Sequence, residues 1–422
     1  MVVGLTLSCR KPPAKSEWSK TFGGSEYDEG VSVQQTIDGG FIICGDDNTS
    51  YSLNPKGQRA YLIRLDRNGD SLWAKKYDTE NFRQHVRTSQ ALATSDGGYI
   101  IVGTVNMHDD YQLESIVFSS IGHDDIIVIK TDRRGELKWR KNYGGETNDE
   151  GYSICEAKSG GYIISGTTNS FPYIIRIDRN GRVLWEKVFR SLFSDKNSIL
   201  ETRDQCIVVS GSAVTDTNDI DIYLLKTNPS GDSVWLRVFG EKAIEEFSES
   251  IQETADGGYI VAGYRRDRKF KIILNTGCLT CDYSVPNDST DIYILRTDSN
   301  GKILWNRKYG GSFLVEGHSI CSTNDSGFAI AGYIDTVIEY TSDNEVKEWD
   351  RNVYVMKIDR NGDYLWSKKL GGDDIDEGYD IIQATDGNFV VVGRTYSFGV
   401  SIADVYAFKF KVKPVGKVVK VR

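Results

Sequence analysis

The sequence predicts an all-β protein, a seven-bladed β-propeller of four-stranded blades that is closed by its N-terminal strand. Runs of β-branched and aromatic residues alternate with tight turns rich in Asp and Gly, which is the pattern of consecutive antiparallel hairpins. The pattern recurs in units of four strand candidates, and repeats of about 40–50 residues of this kind are typical of propellers. One Trp marks the same place in every unit, namely Trp18, Trp73, Trp139, Trp185, Trp235, Trp305 and Trp366.

Each unit has four strand candidates, A to D, in the same order. In the fifth unit they cover residues 250–254, 258–263, 291–298 and 303–309. Thr-x-Asp-Gly-Gly or a variant joins strands A and B. Asp-x-Asn-Gly or a variant joins strands C and D, and Gly takes the positive φ that a short hairpin needs. In the fourth unit Asp204 is followed by Gln205 and Cys206 instead of two glycines, so we expect this unit to turn differently.

The number of strands indicates how the ring closes. Strands A, B and C occur seven times after residue 30, but strand D occurs six times, and its seventh copy is residues 18–22 (WSKTF). The N-terminal strand should therefore complete the last blade, which removes the open sheet edges. We expect a signal-like segment over residues 1–16, the propeller over 17–410 and a basic tail over 411–422.

The N-terminus predicts an extracytoplasmic location. It is short and apolar, and Ser8-Cys9 resembles the end of a bacterial lipoprotein signal, which makes Cys9 a lipidation candidate. The alternative is a frayed N-terminus with an incidental Cys. We expect a surface lipoprotein, or a periplasmic or secreted protein, that is monomeric and meets the membrane only through such an anchor. The net charge of −9 argues against a nucleic-acid partner.

The basic residues that recur in strands C and D have two interpretations. They could form a nucleic-acid groove together with the aromatic residues, or their stems could pack over the Trp side chains while their charges meet acidic turns. We prefer the second, because features present in every repeat are architecture more often than a single site. The strand C set is Arg64, Lys130, Arg176, Lys226, Arg296, Lys357 and Lys409.

The B-to-C connections carry nearly all the variation in length, and strand order places them on one face of the ring. Such a face is the usual place for recognition, so we expect it to bind a protein or a glycan. In blades five and six these loops have opposite charge, and they either pair with each other or form an open bipolar site. The residues we predict there are Arg265, Arg266, Arg268, Lys269, Glu339 and Glu345.

Acidic pairs recur between strands D and A and would surround one mouth of the central channel, namely Asp28-Glu29, Asp149-Glu150, Glu245-Glu246 and Asp376-Glu377, with Glu316 alone in blade six. The candidates are Glu29, Glu150, Glu316 and Glu377. A partial acidic ring could bind a divalent cation or a basic ligand. Alternatively, these carboxylates accept hydrogen bonds from neighbouring turns, which is the reading we prefer. No other cofactor is expected.

Histidine and cysteine residues offer two weaker predictions, a metal site and a disulfide. His85, His108 and His123 lie on the insertion face of blade two and could hold Zn²⁺ or Mn²⁺, although their spacing matches no metal motif. Cys278 and Cys281 form a lone CxxC, which is at best half a zinc site. In an exported protein we expect a local disulfide there instead.

The units resemble a repeat family common in bacterial secreted and surface proteins, with copies like DGGYIIAGYT followed by DIYLIKTDSNGNLLW. The resemblance covers about residues 17–410 and implies the propeller fold, but no catalytic residues, because that family is largely uncharacterised. The C-to-D hairpin is distantly similar to the Trp motif of quinoprotein (PQQ) and WD40-like propellers. Quinoproteins have eight blades and a longer Thr-Gly turn, both missing here, so no quinone cofactor is expected.

Two functions compete at this point. The first is a non-catalytic recognition module that uses the insertion face. The second is a hydrolase or lyase with its active site at the channel mouth. Because no nucleophile–base set or metal quartet stands out, we prefer the first.

Overall fold

The predicted architecture is confirmed. The structure, a computed structural model, describes residues 16–48, 58–78, 85–106, 124–215, 219–267, 290–311, 314–340, 346–399 and 402–411. These residues form seven antiparallel four-stranded sheets and no helix, so none of them belongs to a helix that could cross a membrane. Each sheet contacts the next, and the last contacts the first, which makes a closed ring.

The two inner strands of each blade follow the order of the repeats. The innermost strands, A, surround the axis and are β2 (Tyr27–Gln35), β6 (His85–Ala93), β10 (Asp149–Glu156), β14 (Phe193–Glu201), β18 (Ile244–Glu253), β22 (Val315–Ser322) and β26 (Asp376–Gln383). The B strands are β3 (Phe41–Asn48), β7 (Tyr99–Asn106), β11 (Tyr162–Thr168), β15 (Ile207–Val214), β19 (Tyr259–Asp267), β23 (Phe328–Tyr340) and β27 (Phe389–Thr395).

The two outer strands lie toward the rim. The C strands are β4 (Gln58–Leu65), β8 (Asp124–Thr131), β12 (Phe171–Ile177), β16 (Ile220–Thr227), β20 (Thr290–Thr297), β24 (Val346–Ile358) and β28 (Asp404–Phe410). The D strands are β5 (Ser71–Tyr77), β9 (Leu137–Tyr143), β13 (Val183–Val188), β17 (Ser233–Phe239), β21 (Ile303–Tyr309), β25 (Tyr364–Leu370) and β1 (Ser16–Phe22).

Strands B and C are apolar on both faces because the blades stack face to face. Ile42 and Leu62 of blade one, for example, share a core cluster with Ile101 and Ile129 of blade two. Each of the four is nearly excluded from solvent. The hydrophobic core therefore consists of layers between neighbouring blades, and each layer needs the next blade to complete it.

The N-terminal strand closes the ring as predicted. β1 pairs antiparallel with β28, with Trp18 opposite Lys409 and Phe22 opposite Val405. The sheet order is β1-β28-β27-β26, so the first strand of the chain is the outer strand of the last blade. Sequence-distant segments thus meet in one sheet, and the edge of β28 is covered.

The recurring Trp of each blade covers the C-to-D turn of the next blade. Gly69 has a φ of 80°, and a Cβ atom added to it would lie 2.6 Å from the Trp18 ring. Gly135 has the same relation to Trp73, at 2.9 Å. The Gly therefore serves two purposes, a left-handed conformation and room for the indole. Blade seven is the exception, because its strands C and D (β28 and β1) are not joined by a turn. Trp366 of blade six packs edge-on against Phe410 of blade seven instead.

The strand C cations are buried and meet the A-to-B turns, which confirms the architectural interpretation. Lys130 is 2% exposed, and its Nζ lies 2.9 Å from Asp96 Oδ1. In blade three, where Ser159 replaces the Asp, Arg176 donates to its hydroxyl at 2.9 Å. The other pairs are Arg64–Asp38, Lys226–Asp204, Arg296–Asp256, Lys357–Asp325 and Lys409–Asp386.

The prediction that blade four turns differently is wrong. Thr202 N donates to Cys206 O at 2.8 Å and Gln205 N to Thr202 O at 2.9 Å, as Thr36 and Gly39 do in blade one. Gln205 adopts the positive φ itself, at 63°. The hydrogen bonds of the four-residue loop thus fix the turn, and a non-Gly residue bears the strain.

Neighbouring A strands are joined by a recurring side-chain acceptor. Ser32 Oγ accepts a hydrogen bond from Ala91 N of the next blade at 3.0 Å. At the junction of blades seven and one the acceptor is Asp380, whose Oδ2 accepts from Val33 N at 2.8 Å. Ser319 also donates to Asp380 Oδ1, at 2.6 Å. A half-buried carboxylate therefore closes the ring at the strand A level.

Candidate functional site

The A strands enclose a central channel, and its mouth opens among the B-to-C and D-to-A connections. The cavity has a volume of about 660 Å³ and is lined by residues from all seven blades. Volumes of this order are typical of small-molecule sites. We call the face that carries these connections the loop face, and the face of the A-to-B and C-to-D turns the turn face.

Every A strand has a β-bulge at nearly the same level, and the bulge directs one residue out of the ladder. The pairing with strand B shifts, for example, between Gly30 and Ser32 and between Gly317 and Ser319. Bulges re-aim side chains and are common next to functional sites. The bulge residues that line the cavity, here named the bulge ring, are Val31, Ser89, Tyr152, Lys196, Glu249, His318 and Tyr379.

The bulge ring repeats in backbone geometry but not in chemistry. The seven positions carry six residue types, and only Tyr occurs twice. A single asymmetric site needs this combination of a regular framework and unlike side chains. Sequence reasoning missed it, although the signal was present as the variable position before the recurring Ser in strand A.

Blades four, five and six contribute a polar cluster of three bulge residues. Lys196 forms an ion pair with Glu249, and His318 Nδ1 lies 3.8 Å from Glu249 Oε2. Burial acts to raise the pKa of Glu249, but Lys196 and His318 outweigh it and bring the pKa to about 2. Glu249 is therefore ionised at any physiological pH.

His318 lies between two tyrosine rings. Its ring centroid is 5.4 Å from that of Tyr333 and 5.7 Å from that of Tyr379, the second in an edge-on arrangement. Nε2 has no hydrogen-bond partner in the described part of the chain. The imidazole is thus oriented by ring packing on one side and by Glu249 on the other.

Two residues nearer the mouth, two of the predicted acidic residues, Glu29 and Glu150, also line the channel, whereas Glu377 is buried. Glu29, Glu150 and Glu377 each lie beside a cation, as Arg394 Nη2 is 2.6 Å from Glu377 and Arg87 Nη2 is 3.2 Å from Glu150. The cations between blades therefore meet the carboxylates that we predicted to form an acidic ring. Tyr hydroxyls add hydrogen bonds, for example from Tyr27 to Glu29 at 3.0 Å.

The pKa values at this level follow from burial and pairing. Burial raises the pKa of Glu29 and that of Glu316. Burial also acts to raise the pKa of Glu377, but Arg394 and Arg351 outweigh it, so this pKa is lowered. Arg351 Nη1 lies 2.6 Å from Glu377 and links blade six to blade seven.

The first acid of each predicted pair has a different role. Asp28 Oδ2 accepts from Gly24 N at 2.7 Å, and Asp149 and Asp376 cap the same turn in their blades. These carboxylates are buried between strands, since adjacent strand residues face opposite sides. In blade five the register places Glu246 at this buried position and Phe247 at the mouth.

Three of the six residues predicted on the loops of blades five and six lie in the described part of the chain. Arg265 pairs with Glu241 at 3.3 Å, and Arg266 Nε donates to Glu245 at 3.0 Å, so both contact acids of their own blade. In blade six, β23 and β24 extend to 13 residues each as one hairpin, which includes Glu339. Arg268, Lys269 and Glu345 lie outside the described residues.

The metal, disulfide and lipidation candidates are mostly outside the described residues. His85 is described, and its Nδ1 accepts from Gln58 N at 3.1 Å. Among the described residues no group of three or more His, Cys, Asp or Glu is placed to hold a metal ion. His108, His123, Cys9, Cys278 and Cys281 lie outside them. The described cysteines are free thiols, namely Cys44, Cys155, Cys206 and Cys321.

Comparison with known proteins supports a repeat propeller. No protein-family profile matches the sequence. An uncharacterized WD repeat-containing protein, L264, of Acanthamoeba polyphaga mimivirus is 21% identical over 355 residues, which is 67% of this chain and 25% of that protein. The chain thus matches about a quarter of its relative's length.

Two solved structures share the fold. One is a protein of unknown function from Dyadobacter fermentans, with a TM-score of 0.51 and 10% identity, where the match covers 94% of this chain and 99% of the other. The second is Chaetomium thermophilum Raptor, with a TM-score of 0.54 and 10% identity, covering 94% of this chain and 29% of the other. At this identity the similarity concerns the fold alone.

Proposed function

We propose that the chain is a non-catalytic recognition propeller that binds a protein or glycan partner on its loop face. We further propose that it acts outside the cytoplasm as a monomer of the bacterial surface repeat type, with Cys9 as a lipid anchor. The proposal rests on the fold, the asymmetry between the two faces and the chemistry of the channel mouth.

The observation that supports it most is the concentration of unlike residues on one face. The turn face is built from loops that repeat the same hydrogen bonds, such as Thr94 N to Gly98 O and Thr254 N to Gly258 O, both at 2.9 Å. On the loop face the B and C strands of blade six extend to 13 residues each and pair as one hairpin out to Tyr340 and Val346. A unique partner can be selected only where the repeats differ, because equivalent residues would offer seven equivalent sites.

A hydrolase or lyase that used Glu249 as its general acid or base is not favoured by the pKa of that carboxylate, whereas Asp46 and Asp380 of the same cavity have pKa values raised to about 8 and about 6. General acid–base catalysis works best when the pKa of the catalytic group lies near the working pH. The pKa of Glu249 is about 2, since Lys196 and His318 outweigh its burial, so this carboxylate is a weak base and is not an acid at neutral pH. Its pairing suits a fixed hydrogen-bond acceptor better.

A glycan and peptide array tests the proposal. The intact protein is compared with a variant in which residues 337–349 of the hairpin are replaced by Asn-Gly, a two-residue turn that favours hairpins. A matched control carries Asn68→Ala and Asn361→Ala on the turn face, where both residues are exposed. We expect the hairpin variant to lose or weaken partner binding and the control to retain it. Loss of binding in the control alone would show that we have chosen the wrong face.

Charge reversal at Arg265 and Arg266 is a poor test of the same surface. Each guanidinium already contacts an acid of its own blade, so Glu at either position would place two carboxylates together. Such a variant would lose stability for a reason unrelated to binding.

A further inference from the structure

We propose, on the basis of the recognition function above, that the bulge ring is a binding site for a neutral sugar ring. The ligand would enter from the loop face and contact the Lys196–Glu249–His318 cluster on one side of the channel. The proposed sugar site therefore lies inside the channel and not on the outer loops. Three properties of the cavity lead to it: its charge pairing, its hydrogen-bonding groups and its shape.

The charge pairing argues for a neutral ligand. The cations that line the cavity are Arg87, Lys196 and Arg394, and each has a carboxylate partner in Glu150, Glu249 or Glu377. An anion would have to compete with these carboxylates, and a cation would have to compete with the arginines and the lysine. The lining carboxylates Asp46 and Asp380 already accept hydrogen bonds, from Thr88 and Ser319. Separating a partly buried ion pair is costly because one charge is then left uncompensated. A neutral ligand leaves every pair intact.

The paired groups keep hydrogen-bonding capacity that suits hydroxyl groups. An ammonium has three donors and a carboxylate has about four acceptor positions, so one ion pair leaves both groups with capacity to spare. The Lys196 side chain is 52% exposed and therefore reachable from the channel. A sugar hydroxyl can accept from Lys196 and donate to Glu249 at the same time. Because both partners are ionised, these hydrogen bonds are stronger than neutral ones.

The shape of the ring provides room and apolar contacts. Val31 and Ser89, from blades one and two, are the small members of the bulge ring, and blades one and two are across the channel from the cluster in the order of the ring. Tyr152 and Tyr379 lie between them and the cluster, and each hydroxyl donates to a Glu at the mouth. Aromatic side chains anchored at one end offer an apolar body to a ligand. The C–H faces of a pyranose are suited to such surfaces.

Saturation-transfer NMR with simple methyl glycosides tests this inference. The probes are the methyl glycosides of glucose, galactose, mannose and N-acetylglucosamine, with glucuronate as a charged comparison. We expect transfer from the wild-type protein to the ring protons of at least one neutral glycoside, and weaker transfer to glucuronate. Absence of transfer to every neutral probe, or stronger binding of glucuronate, would overturn the inference.

Two variants locate the site. Val31→Phe fills the channel from the apolar side without altering an ion pair, and it should abolish transfer. Glu249→Gln keeps the shape but removes the charge, and it should weaken binding about tenfold, as expected for the loss of one charge-assisted hydrogen bond. Ile37→Phe is the control, because Ile37 is fully exposed on the turn face. Unchanged binding in a folded Val31→Phe protein would place the sugar elsewhere.

The inference and the proposed function can fail separately. If an array partner binds wild type and Val31→Phe equally well while no glycoside binds, the loop face remains a recognition surface and the sugar site is wrong. If glycosides bind the channel but removal of the hairpin affects no array partner, the sugar site remains and the proposed loop-face recognition is wrong.

Discussion

Asp380 gives the ring closure a measurable pH dependence. This half-buried residue accepts hydrogen bonds from Val33 N of blade one and from Ser319 of blade six. Burial raises the pKa of Asp380 from 3.8 to about 6, so the folded protein binds this proton more tightly than the unfolded chain. The substitution Asp380→Asn removes the titrating group and keeps one acceptor oxygen.

The size of the effect follows from the pKa shift. A shift of about two units corresponds to about 3 kcal/mol, because each unit contributes about 1.4 kcal/mol. A raised pKa stabilises the fold below the unfolded pKa of about 4, and the stabilisation is lost as the pH rises through about 6. The free energy of unfolding of wild type, relative to Asp380→Asn, should therefore fall by about 3 kcal/mol between about pH 4 and pH 7.

Urea unfolding of both proteins across this pH range provides the measurement. Ser32→Ala is the control, because Ser32 has the same role at the next junction with an uncharged acceptor. It should cost about 1 kcal/mol at every pH. The quantity to compare is the free energy of unfolding of wild type minus that of Asp380→Asn. If this quantity does not change with pH, or if it rises toward alkaline pH, the reasoning is refuted.

Three further outcomes follow from the closure, the turns and the loop cysteines. Deleting residues 1–23, which include β1, should lower the melting temperature and expose the edge of β28, and an unchanged melting curve would contradict closure by this strand. Gly69→Ala should cost more stability than Gly97→Ala in thermal unfolding, because both have a φ of 80° but only Gly69 lies under an indole; equal losses would mean that the Trp contact is not tight. Cys278 and Cys281 should be disulfide-bonded in exported protein and release no zinc on denaturation, so stoichiometric zinc would contradict this.

The repeats made the fold readable from the sequence. Turn residues such as Asp66 and Gly69 recur with a fixed spacing from the Trp, and their local hydrogen bonds determine where each hairpin turns. The closing strand followed from counting, since WSKTF carries the Trp of strand D but precedes the first strand A. Local chemistry and global topology agree here, which is why the prediction succeeded.

The site was less predictable because it depends on backbone detail. The acidic pairs pointed to the mouth, but two neighbouring strand residues cannot face the same side, and only Glu29 of the pair Asp28-Glu29 reaches the channel. The bulge then leaves the next channel residue, such as Glu249 or His318, without a pairing partner in strand B. No sequence motif predicts this bulge, because the Ser that often follows it also occurs in many other local structures.

Hydrogen exchange of the protein bound to its array partner tests recognition by the loop face most directly. We predict slower exchange at the starts of the A strands, for example at residues 27–32 and 314–319, and no change in the A-to-B turns at residues 94–98 and 254–258. Protection of those turns, with the loop-face ends of the A strands unchanged, would contradict the account.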